Sequence, residues 1–234
     1  MSGLRKWLFL IVFGAGGLAV LLSLGVWQVQ RLAWKQGLNE IIAARSLGDP
    51  KPVTGNETAE ADDHRAARAT GRFAAHETQL RYLTSVKGLG PGFRLIAPFE
   101  LEDGERILVD RGFAPERVAP RQAEPPSPPE GETVLVGLLR WPNEASAFTP
   151  SPNREDDIWF ARDVAAMAAA LRTRPVMLVH APGAPPGGRN IEWPAPVLEK
   201  TALSNNHLGY AITWFALAAI WLGMSILWAF RMRS

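Results

Sequence analysis

The sequence contains no cysteine, and this one absence removes a whole set of chemistries. Disulfide frameworks, thiolate metal sites, CxxCH haem attachment, iron–sulfur ligation and thiol–disulfide exchange all need a thiol. A soft-metal site would have to rest on methionine and histidine. Met1, Met167, Met177, Met224 and Met232 form no Met-x-Met or His-Met cluster, and they read as scattered core and tail residues. His64, His76 and His180 lie far apart, with nothing in their spacing to suggest a metal site. HExxH, GxSxG and the Walker sequence are also missing, and "GLGPG" at 88 to 92 lacks the spacing and the following helix of a nucleotide loop. No basic patch marks a nucleic-acid surface. The acidic run Glu155, Asp156, Asp157 ahead of Trp159 and Phe160 reads as a solvated turn rather than an acid–base pair. Asp110 and Arg111 are neighbours on an expected strand, so their side chains point to opposite faces and are expected to bond to different partners.

Charge is also missing from two long stretches. Residues 7 to 30, "WLFLIVFGAGGLAVLLSLGVWQVQ", carry none, and neither do the 23 residues between His207 and Arg231. At 1.5 Å per residue each run covers roughly 35 Å, against a hydrocarbon core of about 30 Å, so both are expected to be transmembrane helices. The first run exceeds the usual signal-peptide core, no A-x-A-like site follows it, and Trp27 sits where small residues would be wanted, so an uncleaved anchor is expected. No Arg- and Ser-rich leader precedes it, which points to a bacterial plasma membrane. All 23 acidic residues fall between positions 31 and 206, while Arg5, Lys6, Arg231 and Arg233 give the two short tails a charge of +4. Basic tails stay in the cytoplasm and a long loop translocates, so the middle is expected in the periplasm. The expected division is a tail at 1–6, helices at 7–30 and 207–230, a periplasmic domain at 31–206 and a tail at 231–234.

The central stretch is long enough for one compact domain. Residues 65 to 73, 78 to 86, 92 to 101, 105 to 113, 133 to 141 and 175 to 181 read as strands, short and rich in Val, Ile, Leu, Phe and Tyr. Asp103-Gly104 is a hairpin signal. Residues 163 to 172 read as one short helix with Asp163 as N-cap. The fold class expected is therefore a membrane protein of two transmembrane α-helices forming a hairpin. They enclose a mostly antiparallel β domain, sandwich or barrel-like (α+β), with one short helix. The polar and proline-rich stretches 48 to 63, 118 to 131 and 182 to 188 read as surface loops.

On a helix turning 100° per residue, His207, Tyr210, Ala211, Trp214, Ala218, Trp221, Ser225 and Trp228 share one broad stripe. Trp27, Arg31, Trp34 and Leu38 share a face of the first helix if that helix continues, with Gln28 and Lys35 beside it. In a hairpin His207 would then face Trp27 and Arg31. Two readings of His207 stand on the residues alone. It is an interfacial residue within aromatic belts, with Arg31 snorkelling, or it is an axial ligand for a haem packed against Trp and Tyr rings, with Arg31 or Lys35 meeting propionates. Ser204, Asn205 and Asn206 offer capping oxygens at the helix start.

"LGVWQVQRLAWKQGL" (24 to 38), "PGFRLIAPFELEDGERILVDRGFAP" (91 to 115), "GLLRWPNE" (137 to 144), "NREDDIWFARDVAAMAAA" (153 to 170), "PPGG" (185 to 188) and "NNHLGYAITWFALA" (205 to 218) resemble the surfeit locus protein one family over nearly the whole chain. The combination of WQxxRxxWK with NNHLxYAxTW carries most of the specificity. That family consists of membrane assembly factors for haem-copper cytochrome oxidases. The resemblance implies that the chain is no enzyme, that haem a is bound cargo, and that its partners are the catalytic oxidase subunit, the haem a synthesis machinery and the lipid bilayer. It further implies His207 as the ligand to haem iron, with Trp27, Gln28, Arg31, Tyr210 and Trp214 at matching positions. The alternative is a scaffold that steadies the nascent oxidase subunit through the periplasmic domain and the Ala219 to Gly223 small-xxx-small face without touching haem. An enzyme of haem modification is the third class, for which two helices and no redox centre are poor equipment.

Overall fold

A computed structural model describes residues 3–74, 77–118, 120, 123–181, 193–196 and 204–233. His76 and the 182 to 188 stretch, with its "PPGG", lie outside the described residues, as does part of 118 to 131. In chain order the elements are α1 (Gly3–Phe9), a π-helical turn (Leu10–Ala15), α2 (Gly16–Ser46), β1 (Lys51–Pro52), α3 (Ala59–Asp62), β2 (Ala66–Phe73) and β3 (Leu80–Val86). They continue with β4 (Gly90–Leu101), β5 (Arg106–Pro115), β6 (Glu132–Arg140), β7 (Ile158–Trp159), α4 (Val164–Leu171), β8 (Met177–His180) and α5 (His207–Arg233). The chain divides into two compact units, Met1–Ile41 with Ala202–Ser234, and Ile42–Thr201.

In the first unit the helices Trp7–Ser46 and His207–Met232 are long and apolar enough to cross a membrane. The first runs well past residue 30. Residues 32 to 46 contain Leu, Ala, Lys, Gln, Glu and Arg, all good helix formers, and no proline occurs before Pro50. Residues preceding a proline are pushed out of the α region, and the helix accordingly ends at Ser46.

The second unit is a mixed sheet in the order β1-β2-β6-β8-β5-β4-β3-β7, with an additional pairing of β2 to β4. That extra pairing closes β2, β6, β8, β5 and β4 into a ring. The 12-residue β4 makes this possible. Its first half pairs with β3, from Gly90↔Val86 to Ile96↔Leu80, and its last residues turn to β2 through Phe99↔Phe73 and Leu101↔Gly71. The interior follows from alternation. Ala67, Ala69 and Phe73 of β2, Ala97, Phe99 and Leu101 of β4, Ile107 and Val109 of β5, Leu135 and Leu139 of β6, and Leu178 of β8 form one buried cluster. Every second residue of each strand points inward. The opposite faces of β4, β5 and β8 carry Ile96, Leu108, Met177 and Val179, and α4 covers them with Val164, Met167, Ala168 and Leu171. Packed on both sides, β5 is buried continuously from Ile107 to Pro115 instead of at alternate positions.

Of the two forms expected, sandwich or barrel-like, the closed ring is the barrel-like one. Its ladders are mostly antiparallel, as expected, with β1–β2, β3–β7 and β5–β8 parallel. The 48 to 63 stretch is more than a surface loop, because it supplies β1 and a second, one-turn helix, α3, capped by Thr58. Within it Glu57 is buried, accepting hydrogen bonds from Thr54 N at 2.6 Å, Thr54 Oγ1 at 3.1 Å and Gly55 N at 3.0 Å. Burial alone would raise this carboxyl, but those bonds more than offset it and hold it below the ordinary range. The helix expected at 163 to 172 does form, with Asp163 Oδ1 accepting from Ala166 N at 3.0 Å.

At the centre of the sheet β5 carries an extra residue. Arg94 pairs with Phe113 and Ile96 with Asp110, so Leu95 of β4 opposes both Arg111 and Gly112. Gly112 has φ +119, and an added Cβ would lie 2.3 Å from the Ala195 carbonyl oxygen. Asp110 holds the bulge, accepting from Gly112 N at 3.0 Å with Oδ1 and from Arg94 Nε at 2.6 Å with Oδ2. Neither partner of that ion pair is solvent-exposed (2% and 0%). Asp110→Ala leaves a buried cation uncompensated and should cost about 3–5 kcal/mol in denaturant unfolding. Arg94→Met combined with Asp110→Leu should recover most of that loss.

The Glu57 site also makes stability depend on acid. Its folded pKa is depressed, so the stability it contributes is present above its ordinary value of 4.5 and is lost as pH falls through the lower folded value. The stability gap between wild type and Glu57→Gln should therefore narrow as unfolding is measured at progressively lower pH below 4.5.

Candidate functional site

The two long helices of the first unit pack along seams that repeat every seven residues. On α2 the less exposed positions include Leu21, Gly25, Gln28, Leu32, Lys35 and Asn39, and on α5 they include His207, Ala211, Trp214, Ala218 and Ser225. Alternating steps of three and four are the signature of knobs packed into holes. Close approach depends on glycine. A Cβ on Gly17 would sit 2.7 Å from the Trp221 ring, and one on Gly25 would sit 2.6 Å from the Phe215 ring. At the π-helical turn Trp221 Nε1 donates to the Gly14 carbonyl at 3.0 Å, and Phe9 meets Trp228 edge-on at 5.5 Å. Widened turns of this type offer carbonyls that a regular helix keeps for itself.

His207 opens α5 at the other end of this seam. Its Nδ1 lies 2.6 Å from Gln28 Oε1. An amide oxygen only accepts, so Nδ1 donates this bond, and the neutral tautomer that does so has its lone pair on Nε2. Gln28 is 8% exposed. Around them Asn205 Nδ2 donates to the Leu32 carbonyl at 3.2 Å, and Lys35 Nζ donates to the Ser204 carbonyl at 2.8 Å. Asn205 Oδ1 is buried with no hydrogen-bond partner. Ser204 and Asn205 thus tie the start of α5 to α2.

The side chain bonded to His207 is Gln28, where Trp27 and Arg31 were expected to face it. Trp27 is 52% exposed, and the Arg31 guanidinium sits 4.1 Å above the Trp34 ring. Trp27, Arg31 and Trp34 form a stripe one step round the helix from the seam, and it is Gln28 that meets the histidine. The signal for Gln28 was an amide inside an uncharged run, one position from the residue favoured by the stripe. Tyr210 is 59% exposed, whereas Trp214 is half-buried on the seam. Lys35, the other candidate for a propionate, already serves Ser204. Ala219 and Gly223 are exposed, and no atom lies within 4 Å of a Cβ placed on Gly223.

In the second unit the acidic run is a turn. Asp156 accepts from Asn153 Nδ2 at 2.9 Å, its carbonyl accepts from Arg81 Nη2 at 2.7 Å, and burial pushes the Asp157 carboxyl up. Asp110 and Arg111 bond to different partners, Arg94 for the first and Gln79, Pro126 and Ser127 for the second. His64 Nδ1 sits 3.0 Å from Asp63 Oδ2, and His180 Nδ1 sits 3.0 Å from the Val136 carbonyl. No group of three or more His, Asp or Glu suited to a metal ion occurs among the described residues.

The SURF1 family model matches residues 16–219, a span that takes in the seam from Gly17 to Ala218 and every residue around His207. The chain belongs to the SURF1 family. Among its relatives, "SURF1-like protein" of Monosiga brevicollis is 33% identical over 228 residues, 92% of this chain and 84% of the relative. "Surfeit locus protein 1" of Xenopus tropicalis is 29% identical over 236 residues, 92% of this chain and 72% of the relative. The human "Surfeit locus protein 1" is 29% identical over 229 residues, with 88% and 72% covered. None of these names states a reaction. SURF1 membership therefore fits the sequence resemblance, and the roles of individual residues rest on their geometry.

The seam can be tested because a cysteine-free chain gives a clean background. A Cβ at Gly14 would lie 3.6 Å from Ser225 Cβ, inside the roughly 3.5–4.5 Å range of disulfides. Gly14→Cys with Ser225→Cys should form an intramolecular disulfide on mild oxidation, read as a mobility shift on a non-reducing gel. Adding Gly17→Leu should abolish it.

Proposed function

We infer that this SURF1 protein is an assembly factor for a haem-copper terminal oxidase, holding haem a as cargo at His207 and assisting its insertion into the catalytic subunit. The observation that carries this reading is the bond from His207 Nδ1 to Gln28. Histidines that bind metal commonly donate their second ring N–H to a fixed acceptor, which selects the tautomer and orients the ring. Gln28 does this from the helix seam, where its own side chain is buried, and Nε2 is left as the donor atom for iron. The buried, unpartnered Asn205 Oδ1 is a further polar atom available to a bound group. Trp27 and Tyr210 present exposed rings on the faces flanking the histidine, suited to an apolar macrocycle. Arg31, stacked on Trp34 but without a carboxylate partner among the described residues, is suited to a propionate.

The two apolar helices act as membrane spans in this reading. Basic tails place both termini in the cytoplasm of a bacterial plasma membrane and the β domain in the periplasm, with the haem a synthesis machinery and the oxidase subunit as partners. Haem is carried and not transformed, so no catalytic residue is assigned. One protein ligand suits a site that must also release its cargo. A scaffold without haem is the second reading, and the outward Ala219 and Gly223 favour it as a surface for another helix.

Protein purified from cells that make haem a should carry it, and His207→Ala should abolish its absorption bands while the chain still inserts and folds. Gln28→Leu should weaken haem binding roughly 10- to 100-fold, as loss of an orienting partner does elsewhere. A His207→Ala chain that supports full oxidase assembly would sink the haem reading in favour of the scaffold.

A further inference from the structure

The second unit holds a cavity of 380 Å³ unrelated to His207. Its walls are Phe73, Leu135, Trp193 and prolines, with Ser127 and the two titratable side chains Arg111 and His180 at its border. Arg111 is 8% exposed, close to Arg162 at 7%, and Arg94 is deeper still. Those others are neutralised, Arg94 by Asp110 and Arg162 by Glu144. Arg111 has no carboxylate within ion-pair distance among the described residues. It donates to three neutral acceptors, Gln79 Oε1, the Pro126 carbonyl at 2.7 Å and the Ser127 carbonyl at 2.9 Å, and lies 5.7 Å from the Phe73 ring centroid. Burial without a counter-charge pushes its guanidinium down to about 10.

A cation buried without a carboxylate is costly, and among the described residues Arg111 meets none. The bulge capped by Asp110 delivers it here. Gly112 lets the backbone at Ala195 approach, paired to Phe113, which brings Trp193 and its flanking prolines against the cavity. On the other side His180 spends Nδ1 on Val136, leaving Nε2 to accept a hydrogen bond. Burial lowers this imidazole and keeps it in the accepting, neutral form.

We propose that this cavity binds an aromatic hydroxycarboxylate. The carboxylate sits on Arg111, the flat body packs against Phe73, Trp193 and the prolines, and a hydroxyl donates to His180 Nε2. The site belongs to the β domain and does not depend on haem binding at His207.

Three probes separate the contributions when titrated calorimetrically into the full chain in lipid nanodiscs, with empty nanodiscs as background. They are 6-hydroxy-2-naphthoate, 2-naphthoate without the hydroxyl, and 2-naphthol without the carboxylate. The hydroxynaphthoate should bind saturably, with the naphthol roughly tenfold or more weaker, because a hydrogen-bonded charge is lost. His180→Phe should erase the preference for hydroxynaphthoate over naphthoate and leave the preference for carboxylate. Arg111→Lys should weaken both carboxylates, and its folding can be checked by thermal unfolding. The proposal fails if wild type shows no saturable binding above the empty nanodiscs, if naphthol binds as tightly as the naphthoates, or if His180→Phe keeps the hydroxyl preference.

Discussion

A guanidinium closed inside a β domain must meet its counter-charge where it stands, and much of the domain is arranged around the one that does. Asp110 neutralises Arg94 with one oxygen and holds the Gly112 amide with the other. The second bond fixes the bulge on β5, and the bulge changes which way β5 presents its next side chains. Phe113 then pairs with Ala195, and Arg111 turns toward the cavity it borders. A bulge of this kind redirects a side chain without ending the strand. The same strand is packed on both faces, by the ring interior and by α4, so a shift of one residue would misplace both cores.

Much of this was legible in the sequence because it is periodic. Two uncharged runs of helical length, six strand segments near their final bounds, the Asp163 cap and the opposite bonding of Asp110 and Arg111 all follow from local rules. What escaped was non-local. Lys51–Pro52 and Ile158–Trp159 are too short to show alternation, and they exist as strands only because β2 and β3 offer them an edge. Closure of the ring depends on where β4 changes partner, which no window of a dozen residues contains. Glu57 reads as polar loop, and what makes its burial tolerable is three hydrogen bonds together with Arg65 and Arg174, each 3.7 Å from its carboxylate.

At the helix pair the sequence set Trp27 and Arg31 opposite His207, and the side chain bonded to it is Gln28. The stripe from His207 to Trp228 is the seam on α5, apart from Tyr210, which faces outward. On α2 the aromatic residues drew attention to Trp27, Arg31 and Trp34, while the seam runs through glycines, Leu21, Leu32 and the polar side chains Gln28, Lys35 and Asn39. Bulky rings are easy to see in a sequence. Packing between helices instead favours positions where a side chain is small or where an amide can find a partner across the gap.

The position of β8 bears on the order in which the chain can assemble during synthesis. Among the described residues β8 is the last strand made, yet it fills the space between β5 and β6. From the completion of β6 at Arg140 until His180 emerges, 40 residues later, two strands have open edges facing each other. At synthesis rates of about 5–20 residues per second that interval lasts roughly 2 to 8 s. Open edges are sites for pairing with other chains, so the nascent domain is most vulnerable during this interval. Every strand of the ring precedes the last helix in the chain, so its closure needs no residue of α5.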